Sequence, residues 1–208
     1  MSVDGEPEPV RSEARRRAIL EVARDVFLDK GYAAASMSEI AARLGGSKGT
    51  LYNYFSSKEE LFAAFIAEVC RKVAAALYDQ LPAGEEDLRQ GLIDFGCVFL
   101  DFLMREDVMS VHRLVVAESG RFPHVGQTFY EQGPRRGELR LAEFFGRLMD
   151  AGQIRRGDPR RVGQQLKDLL LSDFLLRLQW GVIERPSPEQ ARAHVTDAVD
   201  VFLRAFAL

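Results

Sequence analysis

The sequence has little of what most enzymes, secreted proteins and membrane proteins need. Its 208 residues include two cysteines and three histidines, and neither type falls at the spacing of a zinc site. No HExxH or phosphate-loop motif is present, so we predict no catalytic residue, no metal and no cofactor. The most apolar stretch, 92–104, is too short to cross a membrane, and no N-terminal run resembles a signal peptide. We therefore expect a cytoplasmic protein that is not an enzyme and has no membrane partner.

The distribution of charge is only weakly informative. The formal net charge is −3, which does not by itself indicate a partner of either sign. Residues 1–10 carry three acidic side chains and no basic one, whereas residues 11–60 carry nine Lys or Arg against seven Asp or Glu. This modest positive region near the N-terminus permits contact with phosphate but does not establish it.

Helical periodicity dominates the chain. Strand signals, such as alternation of apolar and polar residues or Asn-Gly turns between apolar runs, are missing. Glycine, proline and charged clusters separate the apolar periodic segments, and these breaks set the predicted helix ends. The spacing predicts two short helices on either side of residue 46, and longer helices near 11–30, 58–81, 86–105, 107–119, 123–132, 134–151, 158–182 and 188–206.

The most informative segment is 36–58, which reads SMSEIAARLGGSKGTLYNYFSSK. Two short helices flank the pair Gly45-Gly46, with Ile40 on the inward side of the first and Leu51 on the inward side of the second. This is the sequence form of a helix-turn-helix, whose second helix lies in the major groove of DNA. Small and basic residues open the second helix and allow close approach to phosphate. Hydroxyl, amide and aromatic groups follow on or near its outward face.

The same stretch resembles the N-terminal domain of the tetracycline-repressor (TetR) family of regulators. The resemblance is close over about residues 14–65, and its most specific part is the run SKGTLYNYFSSKEEL after the glycine turn. Beyond that it rests on length and all-helical layout. One departure is Gly46, where many members have a small apolar residue that packs into the turn. The matching residues are Gly31, Tyr32, Ser36, Ile40, Ala41, Gly45, Ser47, Lys48, Gly49, Thr50, Leu51, Tyr52, Tyr54, Phe55, Lys58 and Leu61.

The resemblance implies an all-α protein of about nine to ten helices. A three-helix helix-turn-helix DNA-binding domain is expected at 11–57, after a flexible tail at 1–10, and a larger helical domain for ligand binding and dimerisation at 58–208. Ser36 resembles the family's phosphate-contacting hydroxyl, and Lys58 its phosphate-contacting or helix-orienting lysine. Asn53 lies where the family varies and is a candidate for operator choice. The predicted DNA-binding residues are Ser36, Ser47, Lys48, Gly49, Thr50, Tyr52, Asn53, Tyr54 and Lys58.

Each of these residues also has a purely structural interpretation. Tyr52 or Tyr54 can pack against the first helix, and Lys58 can be a solvated residue of a first helical turn. The arginine run 15–17 fits either contact with DNA or a solvated face.

The larger domain holds most of the apolar residues. Ligand sites in helical domains are typically apolar clefts with a few polar groups, and the resemblance implies such a pocket without saying what lines it. Aromatic residues at helical spacing equally fit core packing, and His112 equally fits a core or surface histidine. The residues predicted to line the site are Phe95, Phe99, Met109, His112, Phe129, Phe145, Met149 and Phe174.

The last two predicted helices each have an apolar stripe. The resemblance implies that they pair with their mates in a second copy as a four-helix bundle, and a helix-turn-helix pair reads two half-sites about one DNA turn apart. The stripes equally fit packing within one subunit. The residues predicted for the dimer interface are Leu170, Phe174, Leu178, Val195, Val199, Phe202 and Phe206.

We therefore expect a ligand-responsive DNA-binding transcriptional regulator. The favoured version is a repressor that a small, mostly apolar molecule releases from its operator, so the expected partners are double-stranded operator DNA, the effector and a second copy of the chain. The alternatives are a helical protein-interaction adaptor, or an activator without ligand-induced release. A salt-dependent affinity for promoter DNA separates a regulator from an adaptor.

Overall fold

The computed structural model describes residues 8–82 and 87–208, apart from the side chains of 8–11, 72–76 and 79. Within these ranges the only β pairing is a single bridge between Ile154 and Ala207, and the predicted all-α fold is confirmed. A short 3-10 helix (Tyr78–Gln80) follows the fourth α-helix. The α-helices are α1 (Glu8–Ala34), α2 (Met37–Arg43), α3 (Lys48–Tyr54), α4 (Lys58–Leu77), α5 (Leu88–Leu103), α6 (Glu106–Ser119), α7 (Pro123–Gln132), α8 (Pro134–Asp150), α9 (Pro159–Leu171), α10 (Phe174–Gln179) and α11 (Pro188–Phe206).

The helix ends follow the predicted breaks closely. α7 and α11 have the predicted bounds, and Gly31 interrupts α1 with a φ of 79° and a ψ of 166°. A positive φ is a conformation that glycine adopts at little cost, which explains why the helical path stops there. Of the predicted tail, residues 1–7 lie outside the described residues, and α1 begins at Glu8 rather than at residue 11.

The predicted helix at 158–182 is wrong in one respect, because the chain breaks after Leu171. The hydroxyl of Ser172 donates to the carbonyl of Leu169 at 2.6 Å, and such local bonds compete with helix continuation. Asp173 then has a φ of 68°, in the left-handed region that Asp tolerates better than most residues. Two helices, α9 and α10, result.

Serine side chains cap the N-termini of both short helices of the motif, α2 and α3. The backbone N–H of Glu39 donates to Ser36 Oγ at 3.2 Å, which is one half of a capping box. The reciprocal half of the box is absent, since the Glu39 carboxylate pairs with Lys30 at 2.7 Å. Ser47 caps α3 by accepting from the backbone N–H of Thr50 at 3.1 Å.

By packing, the chain divides into two compact units. The smaller unit consists of residues up to 68 together with 114–129, and the larger unit of residues 69–113 together with 130–208. Helices α4, α6 and α7 each contribute residues to both units. The predicted boundary after residue 57 stays a prediction. The inclusion of 114–129 in the smaller unit is a feature that local sequence patterns do not reveal.

Aromatic rings from α1 and α4 form the centre of the smaller unit. Phe27 is fully buried, with its ring centroid 5.2 Å from that of Phe62 and 6.0 Å from those of Tyr32 and Phe65. Burying each such ring contributes roughly 1.5–3 kcal/mol, so this cluster is a main source of stability in the smaller unit.

The core of the larger unit lies among α5, α8, α9 and α11. Phe145 of α8 and Phe202 of α11 are both fully buried, with ring centroids 5.4 Å apart. Leu166 and Leu170 of α9 are also fully buried in this cluster. The apolar stripes on the inward sides of α9 and α11 are therefore packed against other residues of the same chain.

Candidate functional site

Apolar residues fix one face of α2 and of α3 to the smaller unit. Ile40 in α2 is 0% exposed, Leu51 in α3 is 2% exposed, and Phe55 directly after α3 is 2% exposed. With these side chains turned inward, the remaining faces of the two helices are left for polar residues. Both helices have the form that the helix-turn-helix pattern predicts.

The outward part of α3 carries most of the predicted DNA-binding residues. Tyr52 is 43% exposed, and the Lys48 ammonium lies 5.9 Å from its ring centroid, which argues against core packing of Tyr52. Tyr54 is half-buried, so its phenol is only partly available. Predicted residues that α3 and its cap bring together as exposed positions are Ser47, Lys48, Gly49, Thr50, Tyr52 and Asn53.

Ser36 is the exposed residue that caps α2. Its oxygen accepts the backbone N–H of Glu39, and this is its only hydrogen bond among the described residues. Its O–H therefore remains available to donate, which is the geometry that a phosphate contact requires.

Lys58 directs its ammonium towards the backbone between α1 and α2. Its ammonium donates to the carbonyls of Tyr32 at 2.8 Å, Ala35 at 3.1 Å and Ala33 at 3.4 Å, and lies 4.4 Å from the Tyr32 ring centroid. A lysine has three N–H donors, and three carbonyls take them up. Of the two predicted roles, this geometry matches the helix-orienting one, because Lys58 ties α4 to the end of α1 and the start of α2.

Tyr32 is a residue of the site to which the sequence assigned no role. Its hydroxyl donates to Glu59 at 3.1 Å and lies 2.9 Å from Nε2 of His124 in α7. Because the hydroxyl hydrogen points to Glu59, Nε2 of His124 is the donor of the second bond. Burial is the largest cause that raises the pKa of Tyr32, followed by the hydrogen bond with Glu59. The phenol therefore stays protonated at neutral pH.

Glu118 of α6 also bonds to this end of α1, and we call the surroundings of Tyr32, with Lys58, Glu118 and His124, the Tyr32 corner. Its Oε1 accepts the backbone N–H of Ala33 at 3.2 Å, directly after the break at Gly31. A Cβ at position 31 would lie 2.5 Å from that oxygen, and the positive φ there already disfavours any other residue. Residues from α6 and α7 thus fix the end of α1 from which α2 starts. No local pattern pairs positions 32 and 33 with 118 and 124, so sequence reasoning missed this corner.

The residues predicted to bind a ligand are not all in one place. Four of them lie in the core cluster of the larger unit, with Phe174 packed at its edge. Met109 is buried in the larger unit, whereas Phe129 belongs to the smaller unit. The ligand-binding role of the set stays a prediction. The four core residues are Phe95, Phe99, Phe145 and Met149.

His112 is the most distinctive polar member of that set. It is half-buried and makes a close hydrogen-bonded contact through Nδ1 with the side-chain amide of Gln179 in α10. Burial lowers the pKa of His112, so the neutral imidazole is favoured at neutral pH. This histidine and amide form a polar pair of the kind that orients a ligand in an apolar site.

The predicted dimer interface needs correction at four positions. Leu170, Val195, Val199 and Phe202 are each 0% exposed within a single chain, because they pack in the core of their own larger unit. Side chains buried in this way offer no surface to a partner. Val201, one residue before Phe202, is 45% exposed. The partly buried members of the set are Phe174, Leu178 and Phe206.

Neither a metal site nor a membrane span is found in the part of the chain that the structure describes. No cluster of three or more His, Cys, Asp or Glu side chains there is placed to hold a metal ion. No helix there combines the length and the apolar character needed to cross a bilayer. Burial raises the pKa of the Cys70 thiol to about 11, which keeps it protonated at neutral pH.

Two family matches cover most of the chain. Residues 19–65 match the family of bacterial regulatory proteins called tetR, and residues 90–208 match the C-terminal domain of the AefR-like transcriptional repressors. The first range contains α2, α3 and Lys58, and the second contains the core of α5, α8, α9 and α11.

Individual relatives agree with both matches. The chain is 31% identical over 196 residues to the HTH-type transcriptional repressor Rv1474c of Mycobacterium tuberculosis, which covers 92% of this chain and 94% of that relative. It is 40% identical over 91 residues to the HTH-type transcriptional activator FasR of Mycolicibacterium smegmatis, or 44% of this chain and 41% of that relative. The solved structure of the flavonoid-responsive regulator FrrA matches with a TM-score of 0.85 and 30% identity, covering 94% of this chain and 98% of FrrA.

Proposed function

The chain belongs to the tetR family of bacterial transcription regulators, which are not enzymes, and on this premise we propose that it is a ligand-responsive repressor. The observation that supports the proposal most directly is the exposed polar face of α3, whose apolar face is buried in the smaller unit. In this proposal the protein binds a double-stranded operator in the cytoplasm, and a small, mostly apolar molecule releases it.

On DNA, α3 enters the major groove, and its exposed side chains contact either phosphates or base edges. Lys48 places a positive charge beside a phosphate, and the Ser36 hydroxyl donates a hydrogen bond to one. Ser47 and Thr50 share a hydrogen bond at 2.9 Å, so one of their two hydroxyls remains to donate to a phosphate. The Asn53 amide presents both a donor and an acceptor, so it is suited to a base edge and to the choice of operator sequence.

The effector binds in the larger unit. Support comes from the aromatic residues of its core, from the half-buried pair of His112 and Gln179, and from the similarity to a regulator that responds to flavonoids. An aromatic molecule with a few hydroxyl or carbonyl groups combines the apolar surface and the polar handle that such surroundings favour.

A homodimer presents two copies of α3 to two half-sites. Because the inward stripes of α9 and α11 are used within the chain, the proposed interface is the outward side of these helices. Val201 of α11 is 45% exposed and is an apolar residue on this outward side.

Release follows from the helices that the two units share. α4, α6 and α7 contribute residues to both, and their ends in the smaller unit carry Lys58, Glu118 and His124. A ligand that rearranges these helices changes the corner around Tyr32 and hence the position of α2 and α3. In a dimer this alters the spacing of the two reading helices. Typical couplings of about 1–3 kcal/mol correspond to roughly 5- to 150-fold in DNA affinity.

Two titrations test the proposal. The first measures binding of the protein to DNA from upstream of its own gene at several salt concentrations, and predicts a specific, salt-dependent affinity. The second titrates a flavonoid probe onto free protein and onto the protein–DNA complex, and predicts weaker binding to the complex by the same factor by which the probe weakens DNA binding. Equal affinities for a probe that binds the larger unit would contradict release, and absence of specific DNA binding would favour an adaptor.

Activation is the second candidate. The observation in its favour is the 40% identity to the activator FasR, which exceeds the identity to the repressor Rv1474c but covers less of the chain. A reporter gene under the bound promoter distinguishes the two, because deletion of the regulator raises expression under repression and lowers it under activation.

A further inference from the structure

Arg15 of α1 lies against the turn between α2 and α3. A Cβ added to Gly46 would be 2.8 Å from the Arg15 Nη2 atom, so the guanidinium occupies the space that a larger residue at position 46 would need. The side chain is half-buried at this place. The departure of Gly46 from the small apolar residue of many family members thus has a physical counterpart, which is a cation packed into the turn.

Two other arginines of α1, Arg16 and Arg24, have partners of their own. Arg16 lies over the Phe55 ring at 5.2 Å, and Arg24 is paired with Asp25 at 2.9 Å. Arg15, by contrast, forms no hydrogen bond or ion pair with any of the backbone groups and side chains that the structure describes. Its charge is held in place by packing but is not neutralised.

The place where this charge is held is beside the exposed residues of α3. Gly46 directly precedes Ser47 and Lys48, which are both exposed. A guanidinium presents a planar array of N–H donors that matches two oxygens of a phosphate group, and it stays charged at any physiological pH. An unpaired guanidinium fixed next to a DNA-facing helix therefore has the chemistry of a phosphate contact.

We infer that Arg15 is a DNA-phosphate contact that α1 supplies, and that Gly46 is present because it leaves room for the guanidinium. The inference rests on the proposed DNA-binding function and adds to it a contact outside the helix-turn-helix. Phosphate contacts set register and affinity without reading sequence, so Arg15 strengthens binding to all operators alike.

A double-mutant cycle on the intact protein tests this pair. Arg15→Gln removes the charge but keeps a long polar side chain. Gly46→Ala adds the Cβ that displaces the guanidinium, whose flexible far end can move aside without disturbing the fold. Each variant should make the dependence of log affinity on log salt less steep by about 0.9, the value for one lost phosphate contact. The double variant should add nothing further, and Arg15→Lys should retain part of the slope.

Arg24→Ala is the matched control, because Arg24 is an exposed arginine of the same helix that is already paired with Asp25. It should leave the slope unchanged, and thermal unfolding should show that all variants remain folded. If Arg15→Gln and Arg15→Lys both bind with the wild-type salt slope, the contact does not exist, although the wild-type binding still supports the regulator. If the wild-type protein shows no salt-dependent DNA binding, the proposed function itself fails. Additive effects in the double variant would contradict the role of Gly46.

Discussion

Helices α3 and α11 both carry residues predicted to bind a partner, and the two sets are placed in opposite ways. On α3 the predicted residues are exposed, apart from the half-buried Tyr54, and the apolar Leu51 is buried. On α11 the predicted residues Val195, Val199 and Phe202 are fully buried in their own chain. An apolar stripe indicates which side of a helix is covered, but it does not say whether the same chain or a second one covers it. Hydroxyl, amide and basic groups on an exposed face have no such internal role, so they are the better markers of function.

The largest expected effect is the difference in stability between a substitution on the inward side of α11 and one on its outward side. Phe202→Asp places a carboxylate beside Phe145 and Phe206 and removes a packed ring, so we expect a loss of more than about 3 kcal/mol in the free energy of unfolding. Val201→Asp, one residue earlier, should change the stability of the dissociated subunit by no more than about 0.5 kcal/mol while weakening the dimer. Urea unfolding gives the stabilities and sedimentation gives the masses. If the Phe202→Asp protein were as stable as the wild type but monomeric, Phe202 would belong to the dimer interface after all.

A smaller effect separates two lysines of the smaller unit. Lys58→Met removes an ammonium that donates to three carbonyls, so we expect a loss of about 2 kcal/mol in stability and no change in the salt slope of DNA binding. Lys48→Ala removes an exposed ammonium from α3, so the slope should become less steep by about 0.9 while stability is unchanged. The opposite pattern, with the slope responding only at position 58, would restore the phosphate contact predicted for Lys58.

The smallest expected effect is a pH dependence in the larger unit. Burial lowers the pKa of His112 below its usual 6.5, so the unfolded chain binds a proton more readily than the folded one in the interval between the two values. The stability contribution is therefore fully present above about pH 6.5 and is lost as the pH falls through that interval. His112→Gln should lose less stability than the wild type between pH 7.5 and pH 5 in urea unfolding. Parallel curves for the two proteins would show that His112 does not titrate differently on folding.

The sequence was sufficient for those parts of the fold that depend on local signals. The bounds of α7 and α11, the break at Gly31 and the caps at Ser36 and Ser47 each depend on residues within a few positions of one another. The break at Asp173 was missed, because an Asp that adopts a positive φ has no distinct local signature.

The candidate site was predictable only in part, for the same physical reason. The exposed residues of α3 follow from a short motif, since the buried face of a seven-residue helix fixes the opposite one. The bonds of Tyr32 with His124 and of Ala33 with Glu118 join residues 92 and 85 positions apart. Such pairs depend on tertiary packing, as does the position of Arg15 over Gly46, and no periodicity in a single sequence reports them.

The central claim is that the exposed face of α3 reads the base sequence of DNA, and Asn53 tests it most directly. The measurement is the affinity of the wild-type protein and of Asn53→Ala for a panel of single-base variants of the DNA upstream of its own gene. We expect Asn53→Ala to change the ranking of the variants at one or two base pairs, by about 1–3 kcal/mol at each, and to leave the salt slope as in the wild type. The claim would be contradicted if Asn53→Ala bound every DNA variant as strongly as the wild-type protein does. It would also be contradicted if the substitution weakened binding to all DNA variants equally.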